Sequence, residues 1–371
     1  MNILHISAVK NWGGGEGHIE SLSLELKNNY PEINSIILCV KDGQFHKKLL
    51  STDLDFETAP LKINLDIRFA LKIGKLCKKY KIDLIHIHDP SAIALTILAD
   101  KFYNLPPFIF SKKTSFPIKQ KKLTLYKYNY SKIKKIICVS NETKRIAAES
   151  IKDSSKLVTI YDGTSLLNKS NETPFLLREK YKIDSSKKVV GIIGNHIRAK
   201  HFETLVHVIN VIINKKKRTD FFFVQIGNYT DRTEDLLKSV EELKLNDHIV
   251  FTGFLSDASN FIPQFDVLLL TSQSEGLPLV IYESFYHKVP VISTNVGGIS
   301  EIIQDEINGL LAPKHDYLKL AEKLIYLFDN QEIIEKFTSI SYDKLISNYT
   351  TKKMTEQTVE VYKSVLLNGK H

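Results

Sequence analysis

"VLLLTSQSEGLPLVIYESF", Val267 to Phe285, sets three kinds of sequence end to end. Val267–Leu270 is an unbroken apolar run, as in a strand buried on both faces. Thr271–Leu277 is polar and turn-rich, and Pro278 suits the first position of a helix, where its missing N–H is not needed. An apolar helical segment follows. Strand, loop and helix in this order form half of a βαβ unit, the building block of a parallel sheet flanked by helices. Two carboxylates stand in the stretch. Glu275, just before the helix, gains about 0.3–1 kcal/mol from the helix dipole. That leaves Glu283 unexplained, because it lies within the helix among Val280, Ile281 and Phe285, and a partly buried carboxylate needs a partner. Hydroxyls of a sugar or ribose would satisfy both acceptors, while the N–H groups of Leu277 and Leu279, on either side of Pro278, would face a phosphate.

The same alternation runs outward in both directions. Strands are expected at Asn2–Val9, Ser35–Val40, Leu84–His88, Phe108–Phe110, Lys135–Val139 and Leu157–Ile160. A second series is expected at Val189–Gly194, Phe221–Ile226, His248–Phe251, Val267–Leu270 and Pro290–Thr294. Tyr161–Lys188 between them is polar and starts with Asp-Gly, as a linker does. The expected fold class is therefore α/β, with two Rossmann-like parallel-sheet domains facing across a cleft. The boundaries are 1–165 for the first domain, 166–188 for the linker, 189–350 for the second domain and 351–371 for a final helix packing back on the first. Ligands of such sheets bind beyond the carboxyl ends of the strands, so the cleft is the expected site.

A length of 371 residues suits two domains, and 43% hydrophobic content supports buried cores. Cys39, Cys77 and Cys138 are far apart, with no C-x-x-C, which suits a reducing cytoplasm. "MNILHISAV" is read as a first strand rather than a signal peptide, and no run of about 18 apolar residues occurs. The formal net charge of +9 implies an anionic partner.

Four further stretches carry chemistry. In "KNWGGGEGHIESLSLEL", Gly13, Gly14 and Gly15 precede a helix read from about Gly17; the pattern fits an anion site or a plain tight turn. "DLIHIHDP" puts His86 and His88 on one strand face, as metal ligands, as strand-end caps, or as groups that touch substrate together with Asp89. Lys112–Lys135 contains nine lysines and no acid, interleaved with Phe116, Tyr126, Tyr128 and Tyr130. Such a segment fits stacked bases, a solvated face, or the surface of an anionic membrane, which is the preferred reading. "GIIGNHIRAKHFETL" carries Arg198 and Lys200 on a loop opened by Gly194. Two cations there would hold a diphosphate.

Taken together, "FTGFL", "SEGLPLVIYES" with its E-x7-E spacing, "PVISTNVGG" followed by Glu301, and "NGLLAP" resemble the retaining glycosyltransferases of family 4, which have the GT-B fold. The resemblance covers nearly the whole chain. It implies a nucleotide-sugar donor on the C-terminal domain and an acceptor on the N-terminal one. By position, Glu275 would contact the donor sugar, Glu283 the ribose, and Lys200 the diphosphate. Gly14, Gly15, Asn195, Phe254 and Gly276 to Leu279 would complete the donor site. Asn195 stands where the family usually has arginine, with Arg198 as its substitute. Ser111, Lys112 or Lys113 stands where an N-domain histidine is common, and His287 with Lys288 replaces a glycine before the "PV" strand.

The resulting expectation is a cytoplasmic enzyme at the inner face of the membrane. It would transfer a hexose, with retention and without metal or cofactor, from a UDP-sugar to a bacterial surface glycan: lipopolysaccharide, O-antigen, capsule or a lipid-linked oligosaccharide. Glu275, Lys200, Arg198 and His88 would be catalytic. Lys112, Lys113, Lys119, Lys121, Lys122 and Tyr126 would face acceptor and anionic membrane. The rivals are a nucleotide-sugar epimerase of the same fold, a basic nucleic-acid-binding protein, and a metal hydrolase using His86 and His88.

Overall fold

In a computed structural model describing residues 1–166 and 172–367, two separate sheets form, each entirely parallel. The first contains β1 (Asn2–Ile6), β2 (Asn34–Val40), β3 (Phe56–Ala59), β4 (Leu84–Ile87), β5 (Phe108–Lys112), β6 (Ile133–Cys138) and β7 (Leu157–Thr159). Their spatial order is β3-β2-β1-β4-β5-β6-β7. The second contains β8 (Lys188–Ile193), β9 (Phe221–Ile226), β10 (Ile249–Phe251), β11 (Val267–Leu270), β12 (Val291–Thr294) and β13 (Leu310–Ala312), in the order β10-β9-β8-β11-β12-β13.

Chain order reverses between β1 and β4 in one sheet and between β8 and β11 in the other. At such a switch point the loops leaving the two strands turn apart and leave a crevice. Residues after β1, β4, β8 and β11 are therefore the ones the fold places for binding.

The chain divides into two units, Met1–Ser165 with Thr350–His371, and Leu166–Tyr349. The central strands are mostly apolar because helices cover both faces, with His5 and His86 as buried exceptions in β1 and β4. Leu4, Ile6, Leu38, Ile85 and Phe108 are buried in one core, and Val190, Phe221, Phe223, Leu269 and Ile292 in the other. Gly191 interrupts β8 for a packing reason: a Cβ there would lie 2.0 Å from the Phe265 ring.

The segment read as a linker behaves differently over its described part. Leu167–Asn171 lies outside the described residues. Leu177 is buried and donates its amide to Gln264 Oε1 at 2.7 Å, and the Phe175 ring packs 5.3 Å from that of Phe261. Its apolar residues fasten this stretch to the second unit despite its polar composition.

The last helix, Thr351–Leu367, belongs to the first unit. Met354, Val359, Tyr362 and Val365 are buried against Ile3, Leu22, Leu84 and Ile109. The helix is entered at a close backbone crossing, where Thr351 N donates to Thr164 O at 3.1 Å. Only glycine fits at 163, since a Cβ would lie 2.3 Å from the Thr350 carbonyl oxygen.

Candidate functional site

In the second unit, the loops leaving β8 and β11 clasp each other. Thr271 Oγ1 donates to the Lys200 carbonyl at 3.1 Å, and Gln273 N to that of Ala199 at 2.8 Å. Gln273 Nε2 also donates to the Arg198 carbonyl. This clasp brings Lys200 Nζ to 2.7 Å from Glu275 Oε1, across 75 positions of sequence. Ser272 Oγ donates to the same oxygen at 2.6 Å. The Lys200 and Glu275 side chains keep 17% and 12% of their surface, so the pair is held firmly yet reachable. Gly194 makes the slot for it: a Cβ there would lie 2.8 Å from Lys200 Cε.

The other expected donor residues of the second unit are held in different ways. Arg198 is exposed, and among the described residues its guanidinium has no hydrogen bond or ion pair. Asn195 is used internally, its Oδ1 accepting from Asn228 N at 2.9 Å and Nδ2 at 3.2 Å. Gly276 accepts from Gly298 N at 2.9 Å, which ties "SEGLP" to "NVGGI". Leu277 and Pro278 are buried, and the helix runs Leu279–Tyr286, so Pro278 precedes it instead of opening it. Leu279 and Glu283 are partly buried on that helix, and Phe254 is half exposed. His196 was not foreseen. It is buried between Gln225 Oε1 at 2.7 Å and Thr233 Oγ1 at 2.9 Å.

In the first unit, the β1/β4 switch point is polar but closed in. Asp89 Oδ2 accepts from Ala8 N at 2.7 Å, while Oδ1 caps the helix Pro90–Tyr103 through the amides of Ser91 and Ala92. The helix Gly14–Asn29 starts earlier than read, so Gly14 and Gly15 lie in its first turn. A Cβ on Gly15 would meet nothing within 4 Å, leaving this backbone open to close approach. Glu16, also unforeseen, is buried and accepts from Ser7 Oγ at 3.1 Å. Burial pushes its carboxyl up to about 7.

His5 and His86 are direct partners across β1 and β4, and His88 follows two residues later. His5 Nδ1 and His88 Nε2 share a hydrogen bond of 3.0 Å. His86 bonds the Tyr362 hydroxyl at 2.6 Å through Nδ1 and Ser111 Oγ at 2.8 Å through Nε2. Burial drives all three imidazoles below the usual histidine range, His5 to about 3. One nitrogen of each lies within 4.8 Å of the others, a spacing compatible with metal ligands. Yet both His86 nitrogens face hydroxyls, and His5 and His88 bond each other. His88, expected to touch substrate, is turned inward and is 6% exposed.

The basic segment also divides. Lys112 is buried and donates to the carbonyls of Thr114 and Phe116. Lys113 Nζ lies 2.5 Å from Asp162 Oδ1, and His18 Nδ1 lies 2.8 Å from the same oxygen. Burial lowers Lys113 and His18 alike; for Asp162 the burial penalty is overridden by Lys113 and His18, which hold it well below the carboxylate range. These two lysines are therefore interior, correcting their expected place at an acceptor or membrane surface. Their partners are backbone carbonyls and an acid 49 residues away. Lys119, Lys121, Lys122 and Tyr126 are exposed as expected.

Known proteins share this construction. The family described as "Glycosyltransferase Family 4" matches residues 12–166, and "Glycosyl transferases group 1" matches residues 175–344. The UDP-Gal:alpha-D-GlcNAc-diphosphoundecaprenol alpha-1,3-galactosyltransferase of Escherichia coli is 22% identical, over 99% of this chain and 98% of its own. The capsular polysaccharide biosynthesis glycosyltransferase CapH of Staphylococcus aureus is 26% identical, over 82% and 84%. Among solved structures, a glycosyltransferase of Rickettsia africae is 26% identical with a TM-score of 0.81, covering 98% of both chains. HepE of Anabaena, solved with UDP and glucose, is 17% identical with a TM-score of 0.84, covering 98% of this chain and 100% of its own. With a glycosyltransferase family model on each half and a shared fold along nearly its whole length, the chain is a glycosyltransferase of GT-B fold, resembling bacterial surface-polysaccharide enzymes.

Proposed function

We propose that this glycosyltransferase moves a hexose from a UDP-sugar to a growing bacterial surface glycan carried on a lipid, with retention of anomeric configuration. The observation that carries the donor side is the Lys200–Glu275 pair at the β8/β11 switch point. Glu275 accepts from Lys200 and Ser272 and has lone pairs left for hydroxyls of the donor sugar. Lys200 gives one of its three N–H donors to Glu275, and the others suit a diphosphate oxygen. Arg198, exposed on the same loop, supplies a second cation. As the glycosidic bond breaks, negative charge grows on the departing diphosphate, and fixed cations stabilise that state most. Such cations do what a divalent ion would otherwise do, so turnover is expected without added metal. The departing phosphate then takes the acceptor hydroxyl's proton on the face it leaves.

Support for UDP comes from neighbours solved with UDP and with UDP-glucose. Support for a lipid-linked acceptor comes from the Escherichia coli relative, whose name specifies a diphosphoundecaprenol substrate. Among the described residues no helix is long and apolar enough to cross a membrane, so a lipid acceptor would be met from one side. The reading is tested by incubating the protein with UDP-hexoses and a short diphospholipid-sugar acceptor, then assigning the product anomer by NMR. An axial donor bond conserved in the product is expected. An inverted product would overturn the mechanism, and activity with no nucleotide sugar would overturn the function.

A further inference from the structure

Five of the nine lysines from Lys112 to Lys135 are used inside the fold. Besides Lys112 and Lys113, Lys127 donates to the Pro90 carbonyl at 2.9 Å, Lys132 pairs with Asp100 at 2.8 Å, and Lys135 donates to the Ser155 carbonyl at 2.8 Å. Lys119, Lys121, Lys122 and Lys134 are exposed and have no hydrogen bond or ion pair among the described residues. Three of these four crowd into one turn.

The helix Lys122–Tyr128 shows the same division by face. Leu125 and Tyr128, three positions apart, pack against the core of the first unit. Leu123 and Tyr126, also three apart, point away. Leu123 is 84% exposed, more than any other large hydrophobic side chain among the described residues, and Tyr126 is 51% exposed. The turn ahead of the helix is fixed in place, since Ile118 is buried and Gln120 donates to Ser150 Oγ at 2.7 Å. Lys119 and Lys121 stand on either side of that anchor. The result is an ordered apolar tip bordered by three free ammonium groups, in a segment without a single acid.

We propose that this tip, Lys119 to Tyr126, docks the enzyme on an anionic bilayer. Leu123 and Tyr126 enter the boundary between head groups and acyl chains, and Lys119, Lys121 and Lys122 meet lipid phosphates. RNA is a poorer fit, because base stacking needs several free aromatic faces. Tyr128 packs edge-on against Phe110, and the Tyr130 hydroxyl is bound to Asp100 at 2.7 Å. The inference rests on the proposed function only for its purpose, which is to bring the enzyme to an acceptor held in that bilayer.

The test is co-sedimentation of the full chain with vesicles of phosphatidylcholine alone and of phosphatidylcholine with phosphatidylglycerol in equal parts. Binding is expected to require the anionic lipid and to weaken with salt. Changing Lys119, Lys121 and Lys122 together to Gln is expected to lower binding about a hundredfold, at roughly fivefold per lysine. Leu123→Ser with Tyr126→Ser removes the binding that survives high salt. Lys134→Gln, outside the tip, changes nothing. All variants should keep the wild-type unfolding midpoint and affinity for UDP. Wild-type protein that ignores both vesicles, or a triple variant that binds as wild type does, overturns the proposal. So does tight binding to polyuridylate RNA that the triple variant loses. Transfer to a water-soluble acceptor separates the two readings: vesicle binding without transfer would sink the function alone, and transfer without vesicle binding would sink the docking surface alone.

Discussion

The two switch points are built on one plan and filled in opposite ways. Where β8 and β11 part, Lys200 and Glu275 meet in a clasp of two loops that keeps both side chains reachable. Where β1 and β4 part, the polar groups are sunk: His5, His86 and His88 are buried and bond one another or hydroxyls. An ion pair with part of its surface free can exchange one partner for a ligand. A buried network cannot make that exchange without disturbing the packing around it, although His5 Nε2 and His88 Nδ1 have no hydrogen-bond partner among the described residues. If the proposed function holds, the contrast assigns chemistry to the Lys200–Glu275 pair and scaffolding to buried groups that look equally reactive when read along the chain.

The strongest way to break the contrast is to cut one ion pair in each unit. Lys200→Ala or Glu275→Ala is expected to lower transfer by about two to three orders of magnitude, with little change in unfolding midpoint. The double variant should be hardly worse than either single one, because groups acting as a unit are not additive. Lys113→Ala should instead cost about 3–5 kcal/mol of stability in urea unfolding, as expected when half of a buried pair is removed. If Lys113→Ala is as stable as wild type and Lys200→Ala is the one that unfolds, the assignment is reversed.

A finer test lies on the helix Leu279–Tyr286. Glu283→Gln keeps the shape but removes the charge, and is expected to weaken UDP affinity about tenfold, the value of one charged hydrogen bond. Unchanged affinity in a calorimetric titration would remove Glu283 from the nucleotide site.

The smallest effect concerns Glu16, which burial raises to about 7. An acid whose folded pKa exceeds its unfolded one binds its proton more tightly when folded. Its contribution therefore falls as pH rises from about 4.5 to about 7, and then levels off. Glu16→Gln should melt a few degrees higher than wild type at pH 8 and about equally at pH 4. Parallel melting curves across that range would mean that the carboxyl sits in a wetter place than its burial indicates.

The strands were readable in the sequence wherever apolar residues dominate them, and β9 and β11 fall on the residues expected. Of the four edge strands, β7 and β10 were also foreseen, but β3 and β13 were not. β3, "FETA", is short and partly exposed, and β13 is three residues inside "NGLLAP". Glu275 and Lys200 were legible because each stands beside a glycine turn at a strand end. Their contact with each other was not, since it depends on which strands become neighbours. The same blindness hid Asp162 from Lys113 and Tyr362 from His86, the latter pair 276 residues apart. Periodicity tells which face a side chain takes, but only topology tells whom it meets there.

The return of Thr351–Leu367 to the first unit sets a timetable for biosynthesis. A ribosome adding about 5–20 residues per second completes the sheet β1–β7 and then spends about 10–40 s making Leu166–Tyr349 before the last helix exists. Throughout that interval Ile3, Leu22, Ile109 and Ile137 form a bare apolar face, and His86 lacks the hydroxyl of Tyr362. The nascent chain is thus sticky for about half of its synthesis, and a product truncated near Tyr349 keeps that stickiness for good. Chaperone demand and yield in the cell would then turn on seventeen residues that lie far from any donor-binding loop in the sequence.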